Sequence, residues 1–173
     1  SERELGLGDD HDGILRLNAK GYEATPGDDA LALLGLDDVA VEVNVTPDRG
    51  YVLSMRGMAR ELALSTGWPY RDPAAIDAGE GSGFPVTIAD DAPIRGVVGC
   101  GRFVARAVRG IDATRATPRW MQQRLTLAGM RPISIAVDIT NYVMLELGQP
   151  IHGYDLDLLQ GGITVRRAAA GET

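Results

Sequence analysis

The chain has 173 residues, of which 45% are hydrophobic and 24% are charged, so it is expected to form one ordinary domain or two small ones. One cysteine, Cys100, excludes an internal disulfide, and the absence of a signal peptide or a bilayer-length apolar run predicts a cytoplasmic protein without a membrane partner. With 17 basic and 24 acidic residues the net charge is −7, which argues against phosphate binding over the whole surface.

The charge is unevenly distributed along the chain. Residues 1–94 hold 7 basic and 18 acidic side chains, whereas residues 95–173 hold 10 arginines and 6 acidic side chains, so their net charges are −11 and +4. The planar guanidinium suits phosphate and carboxylate partners. The second half is therefore compatible with RNA binding, although a genome that favours arginine codons produces the same excess.

Residues 1–35 are acidic and rich in turns. One alternating stretch at 13–18 predicts a strand, and a short helix is predicted at 29–34 with Asp28 as its cap.

The pattern of residues 36–70 predicts a small α+β module. Apolar and polar residues alternate at 39–45, as is typical of a strand with one buried face, and the turn at 46–50 ends that strand. A helix is predicted at 52–65 from apolar residues at helical spacing, and Gly67 ends it.

Residues 71–83 are rich in Gly, Ala and Asp without periodicity, so we predict a linker and the main domain boundary there. The rest of the chain, 84–173, is predicted to contain strands at 84–88, 101–108 and 163–167.

Two helices are predicted between the second and third of these strands. Thr117 is the expected N-cap of the first helix, with Pro118 at its first position and Gly129 at its end. The second helix covers 140–147 and ends at Gly148. Strands and helices without regular βαβ spacing predict an α+β fold.

The segment 131–152 carries the polar groups best suited to chemistry. An apolar run, interpreted as a strand, leads to Asp138, Thr140 and Asn141 at a predicted strand-to-helix junction, and the stop after the short helix would return His152 toward them. A hydroxyl, an amide and an imidazole in one pocket can orient water on an ester carbonyl. Each residue alone has a simpler explanation: a helix cap for Asp138 or Thr140, and a satisfied polar group for His152.

Other catalytic sites find little support in the sequence. It contains no nucleotide-binding, serine-hydrolase or zinc-protease motif, and two histidines with one cysteine make a His/Cys zinc site implausible. Cys100 is predicted to be a buried structural thiol, and Trp120 and Met121 to be core residues rather than a base-stacking platform.

Residues 137–155, VDITNYVMLELGQPIHGYD, resemble the editing-domain signature of the bacterial phenylalanyl-tRNA synthetase β subunit. Further stretches resemble the same family in order and spacing: 1–7, 45–50 with 57–62, 100–103, 118–121 and 129–132. The chain departs from the family at 48–51, Asp-Arg-Gly-Tyr, where an asparagine-arginine pair followed by glycine and aspartate is common.

The resemblance implies that 1–35 is the tail of an OB-fold tRNA-binding module, 36–70 a small structural module, and 84–173 the N-terminal part of an α+β editing domain. It also implies an internal fragment of a longer protein. The family enzyme is an α2β2 heterotetramer of α and β subunits that uses ATP and magnesium to attach phenylalanine to tRNA(Phe); this fragment is expected to bind no cofactor. An apolar phenylalanine pocket rejects tyrosine weakly, so the β editing domain hydrolyses mischarged tyrosyl-tRNA(Phe).

By the same resemblance, His152 positions substrate or water, Thr140 and Asn141 hold the aminoacyl group, and Arg131 holds the tRNA end. Other pocket residues, including the glutamate that reads the tyrosine hydroxyl, are expected beyond Thr173, so the fragment alone is predicted to be inactive. Two alternatives stay open: a stand-alone hydrolase that edits mischarged tRNA in trans, and a non-catalytic scaffold whose arginines contact tRNA or a partner subunit.

Overall fold

The computed structural model describes residues 1–81, 83–90 and 93–172. Its helices are α1 (Ala30–Leu34), α2 (Met55–Thr66), α3 (Arg119–Leu127) and α4 (Ile135–Leu147), its strands are β1 (Val86–Ala89) and β2 (Ile163–Arg166), and 3-10 helices lie at Asn18–Lys20, Pro47–Val52 and Leu156–Leu158. This mixture of helices and a small sheet confirms the α+β class. The chain forms two compact units, residues 1–42 and 43–173.

The first unit contains the short helix α1, which was predicted at 29–34. Asp29 caps it by accepting a hydrogen bond from the Leu31 amide at 2.9 Å, whereas the predicted cap, Asp28, accepts from the Thr25 amide at 2.8 Å. The strand predicted at 13–18 is wrong, because that stretch has no ladder partner among the described residues and runs into a 3-10 helix instead.

Two further predicted strands are also absent from the described sheet. The segment 39–45 exposes Val39 (78%) and Val41 (79%), and no described strand lies beside it. In the segment 101–108 half-buried residues alternate with exposed ones, as in a strand, but no ladder forms there. Alternation alone therefore predicted strands whose backbone groups find no partner within the described part of the chain.

The sheet of the second unit consists of β1 and β2, which pair in parallel with Val86 opposite Ile163 and Ala89 opposite Arg166. These are the strands predicted at 84–88 and 163–167. One residue past the last pair, Arg167 donates from Nε to Asp90 at 2.6 Å and from Nη2 at 3.1 Å. The ion pair therefore closes that end of the sheet.

The helices α2, α3 and α4 form the other half of this unit, because α4 packs against both α2 and α3. Met121 and Leu125 of α3 supply its buried apolar side chains together with Val52. The helix predicted at 52–65 is confirmed with a later start, since Ser54 is its N-cap. Among the described helices, none combines the length and the apolar composition that crossing a bilayer requires.

Two arginines, one before and one after the predicted linker 71–83, bind described residues of it. Arg56 of α2 forms a bidentate ion pair with Asp72 at 2.8 and 2.6 Å. Arg106 donates to the carbonyl oxygens of Ala78 at 2.6 Å and Glu80 at 2.8 Å. The domain boundaries proposed from the sequence stay predictions.

Candidate functional site

The predicted strand-to-helix junction is wrong. Helix α4 begins at Ile135 with Ser134 as its N-cap, so the whole segment that carries the candidate residues is helical. The helix predicted at 140–147 is only the C-terminal part of α4. An apolar run of this length fits a buried helix as well as a strand, and periodicity alone does not separate the two.

Asp138 is the best-anchored polar group of this region. Its side chain is buried (1% exposed), and its carboxylate accepts hydrogen bonds from the Ile133 amide at 2.8 Å and the Thr117 hydroxyl at 2.5 Å. Thr117 was predicted to cap α3, but its hydroxyl binds Asp138 and makes no cap hydrogen bond to α3. The buried carboxylate ties the first turn of α4 to the loop that carries Arg131 and to the segment before α3.

Sequence reasoning missed this structural role of Asp138 and considered only a helix cap. The available signal was an aspartate inside the apolar run Ile-Ala-Val-Asp-Ile, because a carboxylate in such a run is buried only when it is hydrogen-bonded.

Thr140 and Asn141 lie side by side on α4, both half-buried. The Thr140 hydroxyl donates to the Val137 carbonyl at 2.7 Å, which leaves its lone pairs as acceptors. The Asn141 amide makes no side-chain hydrogen bond to any described residue. Asn141 follows Asp138 by three residues and so lies near the buried side of the helix, whereas Thr140 is turned by about 200° from Asp138.

His152 lies on the exposed segment after α4. Gly148 ends the helix as predicted, in the left-handed conformation with φ 76°. The His152 ring lies 6.3 Å from the Tyr154 ring between centroids, and within the described chain it has no hydrogen bond to Thr140 or Asn141. The convergence of the imidazole with the two α4 residues stays a prediction. The four residues from Gly148 to His152 span at most about 14 Å when extended. Thr140 lies roughly 12 Å back from Gly148 along the helix axis, so the segment is long enough for His152 to reach it.

Arg131 is exposed in the loop between α3 and α4. It makes no ion pair with any carboxylate that the structure describes. Its loop is held by the bond from the Ile133 amide to Asp138 at 2.8 Å. Arg131 therefore has no carboxylate partner among the described residues, and its role at the tRNA end stays a prediction.

An exposed aromatic group lies on α3 and contacts Tyr142, which follows Asn141 on α4. Trp120, expected in the core, is 48% exposed, whereas Met121 is buried as predicted. The Trp120 ring meets the Tyr142 ring edge to face, with centroids 5.1 Å apart. Arg124 donates to the Tyr142 hydroxyl at 3.0 Å, and its guanidinium carbon lies 5.6 Å from the centre of the Trp120 ring.

The turn at 48–51, where the chain departs from the resemblance, is held by Glu61 of α2. Glu61 accepts from Arg49 at 2.7 Å and from the Tyr51 hydroxyl at 2.5 Å. The hydrogen bond to Glu61 raises the pKa of Tyr51. In this chain the turn thus has a structural partner on α2.

Neither a thiol site nor a metal site stands out. The Cys100 side chain is half-buried rather than buried, and its sulfur contacts the Arg102 carbonyl oxygen at 3.4 Å. Across residues 1–81, 83–90 and 93–172, no group of three or more His, Cys, Asp or Glu side chains is arranged to hold a metal ion.

Comparison of the sequence with known proteins finds a matching domain family and similar chains. Residues 99–173, which include every candidate site residue, match the B3/4 domain. The chain is 65% identical to the phenylalanine–tRNA ligase beta subunit of Leifsonia xyli over 100% of its own length and 21% of that relative. It is 53% identical to the beta subunit of Bifidobacterium longum, covering 99% of the chain and 22% of the relative. It is also 53% identical to that of Streptomyces avermitilis, covering 98% and 20%.

The similarity thus extends over both compact units, although the chain spans only about a fifth of the length of these curated relatives. Over its whole length the chain is therefore similar to one stretch of phenylalanine–tRNA ligase beta subunits, and its residues 99–173 match the B3/4 domain.

Proposed function

We propose that this chain supplies part of a hydrolytic editing site that removes tyrosine from mischarged tyrosyl-tRNA(Phe), within a subunit that contributes to the attachment of phenylalanine to tRNA(Phe). The observation that carries the proposal is the match of residues 99–173 to the B3/4 domain, because that range contains Arg131, Thr140, Asn141 and His152 together. The wider context is a cytoplasmic enzyme that pairs this subunit with an α subunit and uses ATP and magnesium for synthesis.

In the proposed reaction, water attacks the ester carbonyl and the products are tyrosine and a tRNA with its terminal hydroxyl restored. His152 positions the water or the substrate. The Thr140 hydroxyl already donates to Val137, so its lone pairs accept from the ammonium of the amino acid. The Asn141 amide has both donor and acceptor capacity for the ester. Arg131 pairs with a phosphate near the tRNA end.

The isolated chain is expected to lack a complete site. Large apolar side chains of the second unit are exposed, and on α2 Met55 is 68% and Leu62 50% exposed. We propose that further parts of the subunit cover such surfaces and complete the pocket.

The decisive experiment is His152→Ala in the full-length subunit assembled with its α subunit. Deacylation of tyrosyl-tRNA(Phe) should fall by about 100-fold or more, because a positioned acid–base group contributes at least that factor. Phenylalanine activation, followed by pyrophosphate exchange, should stay unchanged. His11→Ala is the matched control, since His11 belongs to the first compact unit and its side chain is 72% exposed. Undiminished deacylation by the His152 variant would show that the imidazole takes no part in the reaction.

The isolated 173-residue chain separates this proposal from its rivals. Deacylation at the rate of the full-length subunit would favour a hydrolase that acts in trans. If instead Arg131→Gln weakens tRNA binding while His152→Ala leaves hydrolysis intact in the full enzyme, the segment is a scaffold without catalytic residues.

A further inference from the structure

We propose that Trp120, held by Tyr142 and Arg124, is a stacking platform for the unpaired 3′ end of tRNA. The inference rests on the proposed function, because it takes the 3′ end of a tRNA as the ligand of the neighbouring site. It adds to that function a surface on α3 that binds the nucleotides next to the ester bond.

The three side chains form one rigid cluster across two helices. Trp120 and Arg124 are four residues apart and lie on the same side of α3, away from the buried pair Met121 and Leu125. Tyr142 of α4 meets the Trp120 ring at an interplanar angle of 85°, and its hydroxyl accepts from Arg124 at 3.0 Å. The Tyr142 ring and the Arg124 guanidinium, whose carbon lies 5.6 Å from the ring centre, therefore hold a tryptophan ring that remains 48% exposed. A fixed, exposed indole is the side chain on which an unpaired base stacks best.

One member of the cluster, Tyr142, lies on α4 next to the candidate residue Asn141. Tyr142 directly follows Asn141 in α4, and α3 packs against α4. A tRNA end whose ester lies at Asn141 therefore has its last bases near Trp120. Unpaired bases are available at the 3′ end, since it extends beyond the paired stem of the tRNA.

The charge of the sequence segment that contains Trp120 and Arg124 favours RNA. Residues 95–137 contain eight arginines and one acidic residue, Asp112, in a chain whose net charge is −7. Arg115, Arg124 and Arg131 form no ion pair with a described carboxylate. Outside this range four arginines pair with acids: Arg49, Arg56, Arg166 and Arg167. An excess of unpaired arginine beside an aromatic ring is typical of surfaces that bind single-stranded nucleic acid.

A protein partner is the competing ligand, because Trp, Tyr and Arg also dominate protein interfaces. Such a partner would have to bring a strongly acidic surface to residues 95–137, whereas the phosphates of tRNA supply that charge in every case. The observations therefore favour RNA, and the experiment below decides between the two.

The test measures the affinity of the full-length enzyme for two uncharged tRNA(Phe) transcripts, one complete and one lacking its unpaired 3′ nucleotides. Trp120→Ala should weaken binding of the complete transcript about 5- to 150-fold, the range found for loss of one base–aromatic stack, and leave the truncated transcript unaffected. Trp120→Phe, which keeps a ring, should retain most of the affinity and shows that the fold tolerates substitution. Trp68→Ala is the matched control, because Trp68 is also exposed, at 67%.

Arg124→Gln gives an independent readout through salt dependence. Loss of one phosphate contact should reduce the slope of log affinity against log salt by about 0.7, whereas Arg166→Gln, which removes a paired arginine, should leave the slope unchanged. Wild-type affinity of the Trp120→Ala enzyme, or an equal loss for both transcripts, would overturn the proposal. So would normal RNA affinity with impaired subunit assembly, which would assign the surface to a protein partner. None of these measurements involves hydrolysis, so failure here is distinct from failure of the His152 test.

Discussion

Substitution of Asp138 by alanine is expected to release the loop that carries Arg131. The carboxylate is buried and accepts from the Ile133 amide at 2.8 Å and the Thr117 hydroxyl at 2.5 Å. A hydrogen bond to a charged group contributes about 1.5–3 kcal/mol, so loss of the acceptor should speed local opening at the Ile133 amide by about 10- to 150-fold. Asp138→Asn keeps the shape and one carbonyl oxygen for that amide, so its effect should be only a few-fold.

Hydrogen exchange at single-residue resolution in the full-length subunit measures this effect directly. The Met130 amide is an internal reference, since it donates to the Leu125 carbonyl at 2.8 Å and does not depend on Asp138. We expect the Ile133 amide to exchange faster in Asp138→Ala while the Met130 amide changes little. Unchanged exchange at Ile133, or equal acceleration of both amides, would refute the assignment of Asp138 as the anchor of this loop.

Two further predictions concern the second unit. Gly57→Ala should destabilise the fold by about 1–3 kcal/mol and so lower its melting temperature, because an added Cβ would lie 1.9 Å from the Tyr51 carbonyl oxygen. Gly50→Ala, with nothing within 4 Å of the added carbon, should leave the melting temperature unchanged. The hydrogen bond from Arg56 lowers the pKa of Asp72 from 3.8 to about 2, so this pair stabilises the fold above about pH 4 and loses that effect as the pH falls toward 2. A carboxyl-carbon NMR titration of Asp72 should show this value, and Arg56→Gln should return it toward 3.8; an ordinary pKa in the unaltered chain would contradict the pairing.

The elements that were correctly predicted have local causes. Glycine ends α2 at Gly67 and α4 at Gly148, each with positive φ, and both ends were expected from the sequence. A helix closes its hydrogen bonds within a few residues, so its signals are contained in the segment itself. The later start of α2 has the same kind of cause, because Ser54 is a better cap than the residues before it.

Strands depend on partners that are distant in the sequence, and there the predictions succeeded only in part. Val86 pairs with Ile163 across 77 positions, and nothing in either stretch specifies the other. The segments 39–45 and 101–108 have the same alternation as true strands, yet neither joins a ladder among the described residues. Trp120 was misplaced for a related reason, because the spacing of α3 does not show which side of the helix α4 covers.

The position of Asp138 also determines how the candidate site is divided between rigid and exposed parts. Its buried carboxylate fixes the Arg131 loop, and Asn141 follows one turn later on the same helix, so the groups proposed to hold the substrate share one support. His152 lies beyond the Gly148 stop on an exposed segment without such an anchor. Binding and hydrolysis should therefore respond separately to substitution. Arg131 belongs to the part of the site that Asp138 holds in place, so Arg131 variants should act mainly on tRNA affinity. His152 lies outside that part, so His152 variants should act mainly on the rate at saturating substrate.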